Sequence, residues 1–107
     1  MNTAKNIAIA TIKKLSNELD IQYNNQLNFR NHCYLRIAFD ASVENKWDLI
    51  IKKPFTKYAN DSQLQNVINL LLLYKIDTIR LLQDNERSLM YRKDANLSKT
   101  DSSITLF

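Results

Sequence analysis

The chain of 107 residues contains no glycine. Average usage of about 7% would supply roughly seven. The absence excludes devices built on a glycine backbone: the P-loop, the GxGxxG dinucleotide turn and the GxSxG nucleophile elbow. It also argues against tight β-hairpins, whose primed turns depend on Gly or Asn-Gly. Proline occurs once, at Pro54. With so little backbone punctuation, a mostly helical domain is the fold class that remains. One cysteine, Cys33, excludes an internal disulfide and a CxxC motif. One histidine, His32, cannot complete with it the four-ligand shell of a closed zinc site. No metal and no cofactor is expected. No apolar run reaches the ~18–20 residues that span a bilayer. The opening MNTAKNIAIA lacks the basic and apolar regions of a secretory leader. The expectation is a soluble cytoplasmic protein with no membrane partner.

Charge is present but modest. The net charge is +4. Residues 1–60 hold nine Lys/Arg against five Asp/Glu, and residues 61–107 hold six against six. The basic excess therefore lies wholly in the first part. Domains that live on DNA are usually more basic and more clustered.

Apolar periodicity predicts the elements. Ile7, Ile12, Leu15 and Leu19 recur at helical spacing over residues 3–22, with Asn2 or Thr3 as N-cap. Asn24, Asn25 and Asn28 mark a loop, where asparagine tolerates the left-handed conformations that glycine would take. A second helix is predicted over 29–43. A third begins near Asp48, or the second continues, through Trp47, Leu49, Ile50 and Ile51 until Pro54 ends it. Lys52–Asn60 reads as a loop. Asp61 or Ser62 caps a fourth helix, whose Leu64, Val67, Ile68 and Leu70–Leu73 cover nearly the whole circumference. Asp77 caps a last helix with Ile79, Leu82 and Leu89 inward. Residues 1–95 make one all-α domain, a small bundle of four to five helices. Residues 96–107 read as a flexible tail, with Ile104–Phe107 as an alternative docking segment. So many apolar residues in so small a chain also predict a homo-oligomer.

Three constellations carry chemistry. His32, Arg36 and Asp40 follow one another at four-residue steps, a stripe about 80° wide on a helix. One reading is a binding groove, with Arg36 for an anion, His32 as donor or proton carrier, Asp40 orienting Arg36 and Trp47 nearby. The other is a structural network in which these groups satisfy one another. Cys33 and His32 diverge by about 100° and form no nucleophilic dyad. The segment KWDLIIKKPFTKY places Lys52, Lys53, Lys57 and Tyr58 where they could contact phosphates and stack on a base. The bland alternative anchors this loop to the core through Phe55. On the last helix, Arg80, Asp84, Glu86, Arg87, Arg92 and Lys93 read as a mixed solvated face.

The strings NHCYLRIAFD, KWDLIIKKPFTKY, QLQNVINLL and LLQDNERSLMYR, spanning residues 31–92, resemble a small all-helical bacterial family labelled acetyltransferase-like. That label implies a glycine-containing pyrophosphate loop, which this chain lacks. The Asn-, Lys- and Ile-rich composition resembles that of AT-rich bacterial or phage proteins. The leading expectation is a non-catalytic, self-associating interaction protein with a protein partner. A phage or mobile-element accessory or inhibitor is one concrete version. A small basic nucleic-acid-binding regulator is the alternative. No nucleophile–base set is visible, so an enzyme ranks third.

Overall fold

The structure, a computed structural model, describes residues 3–98. The elements are α1 (Thr3–Gln22), α2 (Asn31–Val43), a 3₁₀ turn (Trp47–Leu49), α3 (Phe55–Tyr58), α4 (Asp61–Ile76) and α5 (Thr78–Ser98). No strand occurs among the described residues, and the fold is the expected all-α bundle. The expected cap Asn2 and the segment Ile104–Phe107 lie outside the described residues.

α1 has the predicted bounds, and it buries Ile12, Leu15, Ser16 and Leu19. This is the i, i+3, i+4, i+7 stripe of a helix with one covered face. α2 buries Tyr34, Ile37, Ala38, Phe39 and Asp40. It ends at Glu44, whose backbone is left-handed at φ 53°. A helix end of this kind usually takes glycine; with none available, Glu44 fills it. Glu44 is the only positive-φ residue among those described, so the asparagines of the 24–28 loop do not take the left-handed role expected of them.

The predicted third helix shrinks to the single turn Trp47–Leu49. The backbone N–H of Trp47 donates to the Asp40 carboxylate at 3.0 Å, and its ring packs edge-on against Phe39 and Phe55. Those contacts fold the chain back onto α2. A helical turn, α3, follows Pro54 inside the predicted loop, with Pro54 in extended conformation as its N-cap. Phe55 is buried and stacks on Phe39 at 4.0 Å between ring centres. Each such ring withdrawn from water contributes on the order of 2 kcal/mol.

α4 begins one residue earlier than expected. Asn60 is its cap, accepting from Gln63 N at 2.8 Å, while the Gln63 side chain accepts from Asn60 N at 2.9 Å. The leucine run is not covered all round: Leu71 is buried, Leu70 and Leu73 are half-buried and Leu72 is exposed. Asp77 separates α4 from α5 and caps α5 as predicted, accepting from Arg80 N at 2.9 Å.

α1 and α4 run side by side in the same direction. Lys5 donates to the carbonyl of Lys57 near their starts, and Gln22 donates to that of Lys75 near their ends. α2 and α5 also run parallel, as Arg36 meets Asn85 and Ser88 while Asp40 meets Ser88 and Arg92. The assembly is a thin slab of 39 × 38 × 19 Å.

The inward face of α5 departs most from expectation. Ile79, Leu82 and Leu89 point to solvent; Leu81, Asp84, Ser88 and Ala95 are buried. The apolar periodicity was real, but α2 offers α5 a polar surface, so the polar side of α5 turns inward to meet it.

Candidate functional site

Two polar stripes meet where α2 packs on α5. α2 supplies Arg36 and Asp40 one turn apart. α5 supplies Asp84, Ser88 and Arg92 at the same four-residue step. Asp40 is fully buried and has four donors. Trp47 N and Arg92 Nη2 reach one oxygen at 3.0 and 3.1 Å. Ser88 Oγ and Arg92 Nε reach the other at 2.6 and 3.2 Å. Arg36 bonds not to Asp40 but to Ser88 Oγ at 2.7 Å and Asn85 Oδ1 at 2.8 Å. Ser88 thus accepts from Arg36 and donates to Asp40. Burial raises Asp40 above the usual carboxylate range, against the pull of Ser88 and Arg92. Burial likewise lowers Arg36 from the ordinary arginine value.

A second buried carboxylate lies one turn before Ser88. Asp84 accepts from the Tyr74 hydroxyl at 2.6 Å and from Arg80 Nε at 3.0 Å. Arg87 stands 3.6 Å away. Burial first, then the bond to Asp84, holds the Tyr74 phenol well above its usual range. The mixed solvated face expected of α5 is therefore internal at Asp84.

These groups are committed to one another. Ser88 Oγ is buried with no imidazole beside it, so it is no activated nucleophile. His32 is exposed at the start of α2 and makes no hydrogen bond among the described residues. Trp47 is 1% exposed, so its ring belongs to the core and offers no contact surface. The predicted stripe is thus split: Asp40 is sealed inside, Arg36 is half-covered and His32 is outside. No open groove joins them. A cleft of about 330 Å³ lies instead between the end of α2 and α4. Asn66, Asn69, Leu70 and Leu73 form its α4 wall, and none of the four expected groove residues lines it.

The basic segment forms a separate corner. Lys52, Lys53, Lys57 and Tyr58 are all exposed. The ammonium groups of Lys52 and Lys57 stand 5.2 and 5.3 Å from the centre of the Tyr58 ring. Lys53 is paired with Asp48 at 3.4 Å, and Lys46 with the same carboxylate at 2.9 Å. Phe55 pins the corner to the core beneath.

One uncovered apolar feature was not foreseen. The outer face of α5 carries Ile79 at 70%, Leu82 at 40%, Leu89 at 49% and Met90 at 60% exposure. The signal for it was present: Asp84, Ser88 and Arg92 repeat the spacing of Arg36 and Asp40 and supply the partners that stripe required.

Comparison with known proteins returned nothing: no family model, no curated protein and no solved structure matches the chain.

Proposed function

We propose that the protein is a non-catalytic interaction module whose working surface is the outer face of α5. One observation carries the reading: α5 buries Asp84 and Ser88 beside Leu81 and leaves Ile79, Leu82, Leu89 and Met90 exposed. An exposed apolar stripe rimmed by charged residues is the usual mark of a contact surface. The buried acids and bases support the same reading, because each is occupied in holding α5 to the bundle. This moves the contact surface away from the predicted groove at His32, Arg36, Asp40 and Trp47.

The test is the double substitution Leu82→Asp, Leu89→Asp. Leu82 and Leu89 are 40% and 49% exposed, so part of each packs on the fold and the variant is first checked for cooperative melting; in the folded variant, association through this face is lost. A double variant that associates like the parent overturns the reading.

The Lys52–Tyr58 corner favours a second reading, a nucleic-acid contact. Two ammonium groups bracket an exposed ring, a combination that suits a phosphate backbone with a stacked base. Against it, Asp48 neutralises part of the charge.

A further inference from the structure

We propose that the cleft between the end of α2 and α4 binds a small primary amine, one ammonium group on a short hydrocarbon body, with Glu44 as its anionic anchor. The site is separate from the outer face of α5, none of whose exposed apolar residues lines it. The two readings therefore stand or fall apart.

Size comes first. A cleft of about 330 Å³ lies at the lower end of the range for small-ligand sites. At ~30 Å³ for each water displaced it has room for roughly eleven waters, hence for a ligand of about ten non-hydrogen atoms.

The lining then sets the chemistry. Ala41, Leu70 and Leu73 are half-buried and give it an apolar surface. Asn66 and Asn69 add amides from α4. The Asn66 side chain makes no hydrogen bond among the described residues, and Asn69 Oδ1 accepts from Gln65 Nε2 at 3.0 Å. Glu44 is the one charged residue among the described residues of the lining. Its exposed carboxylate has neither an ion pair nor a hydrogen bond among the described residues. Glu44 also borders a smaller hollow with Arg80 and Arg87. Both arginines turn to Asp84 instead, at 3.0 and 3.6 Å.

Other ligand classes leave groups unmatched. An anion would meet Glu44 with no lysine or arginine in the lining to offset it. A neutral hydrocarbon would cover polar groups without bonding them, which costs free energy. A quaternary ammonium has no N–H to donate, and no aromatic ring among the described lining residues offers the cage such cations use. A primary ammonium donates three hydrogen bonds. The Glu44 carboxylate and the amide oxygens accept them, while the carbon chain rests on the leucines. One carboxylate calls for one ammonium group.

The backbone supports the assignment. Glu44 is held at φ 53°, the only positive value among the described residues outside glycine. Strain of this kind persists where the surrounding structure enforces it, and it gathers at ligand sites. A glycine here would relieve the strain and remove the carboxylate.

Amide-resolved NMR titration of the whole chain with hexylammonium chloride tests the site. Hexanol, hexanoate and hexyltrimethylammonium are the comparison probes. Hexylammonium should bind saturably, with shifts centred on Ala41–Glu44 and Asn66–Leu73. It should bind about three- to fivefold more tightly than hexanol, the worth of an exposed charge pair. Hexanoate should bind more weakly than hexanol. Glu44→Gln and Glu44→Asn, the second suited to left-handed backbone, are checked for unchanged melting. Each should bring hexylammonium down to the affinity of hexanol and leave hexanol unaltered. No saturable shift in the parent, or shifts centred away from the cleft, overturns the proposal. Hexanol or hexanoate binding as tightly as hexylammonium overturns it too. Equal binding of hexyltrimethylammonium overturns the choice of a primary amine. Variants that keep the preference for hexylammonium overturn the role of Glu44.

Discussion

Asp40 is the residue on which the α2–α5 contact turns. Its main ionic partner is Arg92, fifty-two positions away, whereas Arg36 reaches it only through Ser88. The two arginines should therefore behave differently. Arg92→Ala strands a sealed carboxylate and should cost about 3–5 kcal/mol. Arg36→Ala leaves only neutral partners, Ser88 and Asn85, and should cost about 1–3 kcal/mol. Urea denaturation of both variants checks the order, and equal losses would contradict this pairing. Glu44 holds a conformation that costs a residue with a side chain about 1–2 kcal/mol. Glu44→Gly should raise stability by about 0.5–1 kcal/mol, after allowing for the looser unfolded chain. Tyr34 gives a pH test. Burial pushes its phenol up from the ordinary value of 10.0 to about 12. The folded state thus holds this proton more tightly than the unfolded chain. The stabilisation is complete below pH 10 and is lost as pH rises through 12. In Tyr34→Phe, the urea midpoint should fall less steeply over that window than in the parent.

At the level of elements, most of the helical content was legible because apolar spacing and capping residues are local signals. α1 could be read to the residue, since one face of it packs and the other does not. The start of α4 was misplaced by one residue because Asn60, Asp61 and Ser62 are all competent caps; the reciprocal bonds with Gln63 select Asn60. Asn60→Ala should cost about 1 kcal/mol, while Ser62→Ala should have little effect, as thermal melts of the pair would show. The third helix was misjudged because tertiary packing shortens it: the Trp47 ring packs edge-on against Phe39 and Phe55. The orientation of α5 was missed for a related reason. A helix turns its apolar stripe inward only when the neighbour is apolar, and α2 presents Arg36 and Asp40 there. The candidate site was therefore half legible. The chemistry of the α2 stripe could be read, but its partners Asn85, Ser88 and Arg92 lay on another helix.

Across the whole molecule, charge is divided between a basic part and a neutral one, and the nucleic-acid reading stands or falls on the former. Replacing Lys52, Lys53 and Lys57 by Gln should flatten the slope of log K against log salt by about two, given 0.7–0.9 per phosphate contact. Lys53 is already paired with Asp48, so three full contacts are not expected. A parent that binds no oligonucleotide at low salt ends that reading. The slab also has a history written into its connectivity. Because α1 and α4 lie parallel, Glu18 and Gln22 find Lys75, and Tyr23 finds Tyr74, only across more than fifty intervening residues. During synthesis the amino-terminal helix emerges long before the strut it leans on. Loop closure over such a span precedes any reward from packing. A nascent chain that stops before Asn60 is therefore no smaller version of this protein. Its Leu15 and Leu19 wait uncovered for the carboxyl-terminal half, and maturation is a single late event rather than a progressive one.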